Sequence, residues 1–321
     1  MAHACDTARV DRARDPSVSG QRWTADDIDD QTGRVAVITG ANSGIGFEIA
    51  TVLAARGSSV VLACRNPERA DAARARVLAL APDASVELAL IDLSDLASVR
   101  RGATELVDRH PAIDLLVNNA GVLMTPHEIS VDGLELQLAT NHLGHFALTG
   151  LLLPSLLAAP HARVVTMTSI GHFIGRIDFE DLQRTTRYRK GPTYAQSKLA
   201  NLLFAYELQR RFATAGVTAR SLAAHPGSSD TDIARFIPRI QRALSPLSRV
   251  LQQSAAMGAL PALRAATDPD ARGGECFGPR ALQWRGHPKL VRSSPRSHDL
   301  SVQRRLWEVS EELTGVTFEL P

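Results

Sequence analysis

The sequence predicts an α/β protein: a doubly wound, mostly parallel sheet with helices on both faces. Three observations carry this. Short β-branched runs alternate with stretches of helical spacing from Arg34 to Ala224. That order makes each helix a crossover between parallel strands. The strand runs, such as 59–64 (SVVLAC), are nearly unbroken in apolar residues, as expected where both sheet faces are covered. The first strand also ends in a glycine-rich turn that leads straight into a helix.

The elements follow in order. Residues 1–20 are polar, mixed in charge and end in PSVSG, the pattern of a mobile tail. Residues 22–33 look like a docked segment, with Trp23 and Ile28 packed inward and Asp26, Asp27, Asp29 and Asp30 in water. The first strand is 34–40 (RVAVITG). A helix over 44–56 puts Ile45, Ile49, Val52 and Leu53 on one side, and Gly57 stops it. Strand 59–64 is followed by helix 67–80, with Pro67 at its first position. Strand 85–92 (SVELALID) precedes a helix over 94–110 capped by Ser94, then strand 113–121 (IDLLVNNAG). One long apolar helix is expected over 134–157. The fifth strand is 162–169, a helix runs over 194–213, and the sixth strand is 217–224. Residues 235–250 read as a mobile helical flap. Residues 297–314 form an amphipathic helix with Leu300, Val302, Leu306, Trp307 and Leu313 on its apolar side.

Composition narrows the class. The chain has 321 residues, 44% hydrophobic and 22% charged, ordinary for a globular protein. We read it as one domain over 21–321: a core over 34–227, a substrate flap over 228–256 and a C-terminal part over 257–321. The net charge of +2 gives no field that draws in nucleic acid. Cys5, Cys64 and Cys276 have neither disulfide-framework nor metal-ligand spacing, which points to a reducing, cytoplasmic setting. The longest apolar stretch, 146–160, is interrupted by Thr149, Gly150, Pro154 and Ser155, short of the ~20 apolar residues of a membrane span.

The turn TGANSGIG places Gly40, Gly44 and Gly46 between the first strand and the first helix, with Asn42, Ser43 and Ile45 between them. Glycines let the backbone approach a pyrophosphate, and the helix start offers free N–H groups and a positive dipole end. A Rossmann-type dinucleotide site is the reading; a ligand-free glycine turn is the plain alternative. About 20 residues past such a turn an acid marks NAD through its ribose hydroxyls. Here that place holds Arg65. A guanidinium binds a 2′-phosphate through paired donors, so NADP(H) is preferred over NAD(H).

Tyr194 and Lys198 stand four apart in YAQSK, on one face of a helix. A phenol titrates near ~10, and a neighbouring ammonium favours its phenolate. Such a tyrosine can give or take a proton at a carbonyl or alcohol oxygen. An exposed helix face is the plain alternative. Ser169 closes the fifth strand. The glycine turn, Arg65, 118–121 and Ser169 all fall at the carboxyl edge of the sheet, where open parallel sheets bind ligands.

Together TGANSGIG, CR (64–65), DL (92–93), NNAG (118–121), Asn141 in TNHLGHF, Ser169, YAQSK, NLLFAYELQRR (201–211) and HPG (225–227) resemble the short-chain dehydrogenase/reductase family. The resemblance covers about 34–227 and is nearest to retinol-dehydrogenase-type and related actinobacterial members. GGECFGP (273–279) and the last helix also resemble such members. It implies that Tyr194 is the general acid/base and that Lys198 lowers its pKa and bonds the nicotinamide ribose. Ser169 would hydrogen-bond the substrate oxygen, and Asn141 would anchor a water relay. Asp92 and Leu93 would border the adenine; Asn118, Ala120 and Gly121 its ribose and adjoining backbone. Pro226, Gly227 and Thr231 would line the nicotinamide and pyrophosphate. Ser169 and Tyr194 stand about 25 residues apart, longer than in shorter members, and IDFEDLQ (177–183) resembles the longer loop of the retinol-dehydrogenase-like ones. Tyr188 has Pro192, not Lys, four residues on, and is rejected as the acid/base.

The implied function is an NADP(H)-dependent oxidoreductase that interconverts a carbonyl and an alcohol on a small or lipophilic substrate. The alternative is an NADP-binding scaffold or sensor without turnover. His142, His145 and His172 lack metal-ligand spacing, so no metal is expected. The basic stretch 285–305 has few aromatics and reads as a solvated or interface surface, not a nucleic-acid site. The segment 235–250 offers peripheral membrane association. The helices over 134–157 and 194–213 offer a face for a homodimer or homotetramer.

Overall fold

A computed structural model of the chain describes residues 22–228 and 253–321. The expected tail over 1–20, the flap helix over 235–250 and Thr231 lie outside the described residues.

Eight strands form one sheet in the order β3-β2-β1-β4-β5-β6-β7-β8. β1 (Val35–Thr39), β2 (Ser59–Cys64), β3 (Val86–Leu90), β4 (Leu115–Asn118), β5 (Arg163–Met167) and β6 (Arg220–Ala224) are the six expected strands, all parallel. β7 (Cys276–Ala281) adds in parallel to β6, and β8 (Arg285–Leu290) closes the edge antiparallel to β7. The sequence reading stopped at six. β7 and β8 carry Gly278, Pro279, Gly286 and Pro288, residues that suit an edge and give no β-branched signal.

Helices cover both faces. On one lie α1 (Gly44–Ala55), α2 (Pro67–Leu80) and, late in the chain, α8 (Ala255–Thr267). On the other lie α3 (Leu96–Arg109), α5 (Gly144–Leu151), α6 (Leu153–Ala158), α7 (Lys190–Thr214) and α9 (Leu300–Thr314), with a short α4 (Leu136–Leu138) before α5. Trp23 and Ile28 pack against the first core as expected. Asp95, not Ser94, caps α3, accepting from the N–H groups of Ala97 and Ser98. Ser94 instead bonds Asp92 through its hydroxyl at 2.6 Å.

The expected single helix over 134–157 is interrupted. Residues Ala139–Leu143 make a π-turn in which Gly144 N–H reaches back to the Ala139 carbonyl, and Pro154 restarts the helix as α6. The π-turn brings Gly144 against Leu93, where a Cβ has no room beside the Leu93 carbonyl. The loop after β3 is thereby pinned at the carboxyl edge.

α9 and residues 316–318 lie over α5 and α7. Trp307 sits in a ring cluster with Phe146 (5.0 Å), Phe204 (5.8 Å) and Phe318 (4.5 Å). The Arg211 guanidinium lies 4.2 Å above the Trp307 ring. Part of the helix surface offered by the sequence reading to a second copy is therefore covered by the chain's own C-terminus. Leu300, expected on the packed side of α9, is 50% exposed.

Candidate active site

At the carboxyl edge, the loops after β1, β2, β3, β4, β5 and β6 enclose one cleft of about 450 Å³. Its size suits a ligand site. Gly40, Asn42, Ser43, Gly44, Ile45 and Gly46 form its floor. α1 begins there with no side-chain cap from Ser43 and no acid in its first turn. Contrast α9, whose Asp299 caps two N–H groups. The dipole and first amides of α1 are thus left for an anion from outside. A Cβ on Gly46 would stand 2.5 Å from Asn119 Nδ2 and 2.6 Å from the Gly40 carbonyl. Only glycine keeps this cradle closed, and such a cradle fits a pyrophosphate.

Arg65 projects at the cleft with its side chain 70% exposed and Nε 3.8 Å from Asp92 Oδ2. A surface pair of this kind holds little energy, so the guanidinium is available to a stronger anion. Arg69 and Asn66 line the same end. The sequence reading missed Arg69, although it stands four residues from Arg65 on the first turn of α2, the same spacing used for Tyr194 and Lys198. Asp92 and Leu93 line the cleft as expected.

Of the NNAG residues, Asn118 is not in the cleft. It is fully buried and its Nδ2 donates to Thr149 Oγ1 at 3.0 Å. Asn119 takes the place expected for it, with Ala120 and Gly121 beside it. Strand side chains alternate between faces, so one asparagine of the pair points away. Thr39 locks the turn to this segment: its Oγ1 accepts from the N–H groups of Asn119 and Ala120, both at 2.9 Å.

Ser169, Tyr194 and Lys198 meet on the other side of the cleft. Ser169 Oγ accepts the Gly171 N–H at 3.2 Å, which leaves its proton to donate. It also hydrogen-bonds Tyr194. α7 begins at Lys190, a turn earlier than expected, because Pro192 in a first turn sacrifices no bonded N–H. Tyr194 is therefore held inside an established helix. Lys198 Nζ lies 5.9 Å from the Tyr194 ring centre and donates to the Met167 carbonyl at 3.4 Å. Burial lowers the Lys198 pKa to about 8. Burial raises Tyr194 above the usual phenol range, with the Ser169 hydroxyl partly opposing it. Burial thus favours the neutral phenol of Tyr194 in this cleft.

Asn141 sits behind the cleft in the π-turn. Its Oδ1 accepts Val122 N–H at 2.7 Å, and its Nδ2 donates to the Val122 carbonyl and to Ser197 Oγ. Both of its amide protons are used, so its side chain holds the loop that carries Val122. A Cβ on Gly121 would lie 3.0 Å from Asn141 Oδ1 and 3.3 Å from Lys198 Nζ, which shows how closely the loop is set against Lys198. His145 Nδ1 faces the Asn141 carbonyl at 3.0 Å and its Nε2 faces Thr39 Oγ1 at 2.8 Å. A carbonyl only accepts, so Nδ1 carries the proton. Burial holds His145 neutral, near pKa 3.

Pro226 and Gly227 line the cleft as expected, together with Ser228, Val122 and Leu123. Tyr188, rejected above, is a strut: it accepts from Gln137 Nε2 at 2.9 Å and donates to the Thr125 carbonyl at 2.8 Å.

An open parallel sheet with an uncapped glycine turn and a serine–tyrosine–lysine group across one cleft defines a dinucleotide-binding oxidoreductase. The family model for short chain dehydrogenases matches residues 34–241, and the chain belongs to that family. It is 38% identical over 290 residues to retinol dehydrogenase 12 of Homo sapiens, covering 89% of this chain and 88% of that one. It is 36% identical over 292 residues to human retinol dehydrogenase 13, covering 88% and 85%. Among solved structures, an uncharacterised protein from Mycobacterium paratuberculosis is similar with 42% identity and a TM-score of 0.79, over 94% of this chain and 100% of that one. A Pseudomonas aeruginosa RhlG/NADP active-site complex shares 25% identity with a TM-score of 0.62, over 77% and 94%.

Proposed function

We propose that the protein interconverts a carbonyl and an alcohol with NADP(H), on a small or lipophilic substrate of which retinaldehyde is the first to test. The names of the relatives support that choice of probe. The observation that carries the reading is the convergence of Ser169, Tyr194 and Lys198 across one cleft from the glycine turn.

A bound nicotinamide supplies or takes up the hydride. The glycine turn and the α1 start would hold the cofactor's pyrophosphate, Asp92 and Leu93 would border its adenine, and Arg65 with Arg69 would meet its 2′-phosphate. Tyr194 gives its phenol proton to the substrate oxygen in reduction and recovers it in oxidation. Ser169 donates to that same oxygen and fixes its position. The Lys198 ammonium stabilises the phenolate that Tyr194 becomes, a charge too costly to leave unpaired in a buried place. Asn141 keeps Gly121 and Val122 in register against Lys198.

The test measures NADPH and NADH affinity and turnover with retinaldehyde and a carbonyl panel, for wild type and Arg65→Asp. Wild type is expected to favour NADPH. Arg65→Asp loses at least about ten-fold in NADPH affinity, one charge-assisted pair with phosphate being worth that much, and gains in NADH. Equal use of both cofactors by both proteins contradicts the NADP assignment. Tight NADPH binding with no carbonyl ever reduced leaves a cofactor-binding sensor.

A further inference from the structure

The basic stretch near the C-terminus and the exposed Leu282 and Trp284 within it take no part in the chemistry of the cleft. From Cys276 to His298 the chain carries Arg280, Arg285, Lys289, Arg292 and Arg296 and no Asp or Glu. This stretch contains the β7–β8 hairpin. Its turn is closed by Trp284 N–H donating to the Ala281 carbonyl at 2.8 Å. Both central residues are left-handed, Leu282 at φ 50° and Gln283 at φ 61°. Turns of this kind recruit Asn-Gly, and Leu is a strained choice for the first position. Burial does not offset that strain: Leu282 is 94% exposed and Trp284 beside it 43% exposed.

The turn is held in place at the cleft. Gln283 Oε1 meets His225 Nε2 at 2.9 Å, and Gln283 Nε2 donates to the Arg292 carbonyl at 3.0 Å. The Trp284 carbonyl accepts Ser228 N–H at 2.9 Å, and Ser228 and Gly227 are cleft walls. A strained turn that displays an aliphatic side chain to solvent, fixed to the rim of a binding cleft, calls for a partner at its apex.

We propose that the β7–β8 hairpin tip docks the protein on an anionic lipid surface. Leu282 enters the apolar boundary, Trp284 lies at headgroup level, and Arg280 and Arg285 pair with lipid phosphates. An aliphatic apex flanked by a tryptophan and arginines matches a bilayer interface; a nucleic acid backbone offers an aliphatic apex nothing. Docking at the cleft rim serves the lipophilic-substrate reading and rests on it for its purpose, though not for its test.

The full chain is sedimented with phosphatidylcholine vesicles with and without phosphatidylglycerol, at low and high salt. Wild type is expected to bind the anionic vesicles, more weakly as salt rises. Leu282→Asn suits the left-handed backbone, so it melts no lower than wild type, yet binds about ten-fold or more weakly. The Arg280→Glu, Arg285→Glu double variant binds about 25-fold or more weakly, from about five-fold per arginine. Turnover of a water-soluble carbonyl is unchanged in these variants. Wild type remaining in the supernatant with anionic vesicles, Leu282→Asn sedimenting like wild type, or an oligonucleotide bound more tightly than the vesicles overturns the proposal. Absence of turnover in every variant, wild type included, contradicts the catalytic reading alone, because vesicle binding is read without it.

Discussion

Tyr194→Phe is expected to cut carbonyl turnover by roughly 10²–10⁴-fold, the contribution of a positioned proton donor, while NADPH binding stays as in wild type. The phenol is the only group changed. The Tyr194 backbone carbonyl still accepts from Ser197 Oγ, and Ser169 still caps the turn that follows it. Steady-state rates with NADPH and retinaldehyde, beside fluorescence titration of the cofactor, separate the two effects. The pH profile adds a sign. Burial keeps Tyr194 protonated through the neutral range, whereas Lys198 loses its charge as pH rises through about 8. Carbonyl reduction by wild type should therefore fall above about pH 8, when the phenolate formed has no ammonium beside it. The residual rate of Tyr194→Phe should be flat there. A variant with near-wild-type turnover removes Tyr194 from the chemistry.

Trp307→Ala is expected to destabilise the fold by about 3–5 kcal/mol, the usual cost of emptying a buried aromatic site. Trp307 is 2% exposed, holds Phe146, Phe204 and Phe318 together and donates from Nε1 to Glu311 Oε1 at 2.9 Å. Leu300→Ala, on the exposed start of the same helix, should stay within about 0.5 kcal/mol. Urea denaturation followed by circular dichroism compares them. Equal small effects of both substitutions would mean that α9 adds little to the core, contrary to its packing on α5 and α7.

The parallel half of the sheet was legible because its strands are continuous apolar runs divided by helix starts and stops. The hairpin β7–β8 was not, because an edge pair built from CFGPRA and RGHPKL has no apolar period. α8 was hidden by Pro261 inside it. The π-turn at Ala139–Leu143 leaves the apolar pattern nearly unaltered, since one extra residue per turn is a contact-level event. It follows from Asn141 being tied to Val122 and Gly144 being pressed on Leu93.

In the site, the residues that the structure brings to one cleft were legible from motif and spacing: the glycine turn, Arg65, Ser169, Tyr194 and Lys198. The choice between Asn118 and Asn119 was not, because it depends on which face of β4 each side chain meets. The upward shift of Tyr194 was also out of reach, since desolvation is a property of the packed cleft and not of the four-residue spacing.

The most direct test uses NADPH deuterated at the transferable position of its nicotinamide, with retinaldehyde as acceptor and mass spectrometry of the alcohol. The expected product carries one deuterium on the carbinol carbon and a solvent proton on the oxygen, at a rate that collapses in Tyr194→Phe. Alcohol formed without deuterium, or no alcohol although the cofactor is bound, contradicts hydride transfer in this cleft.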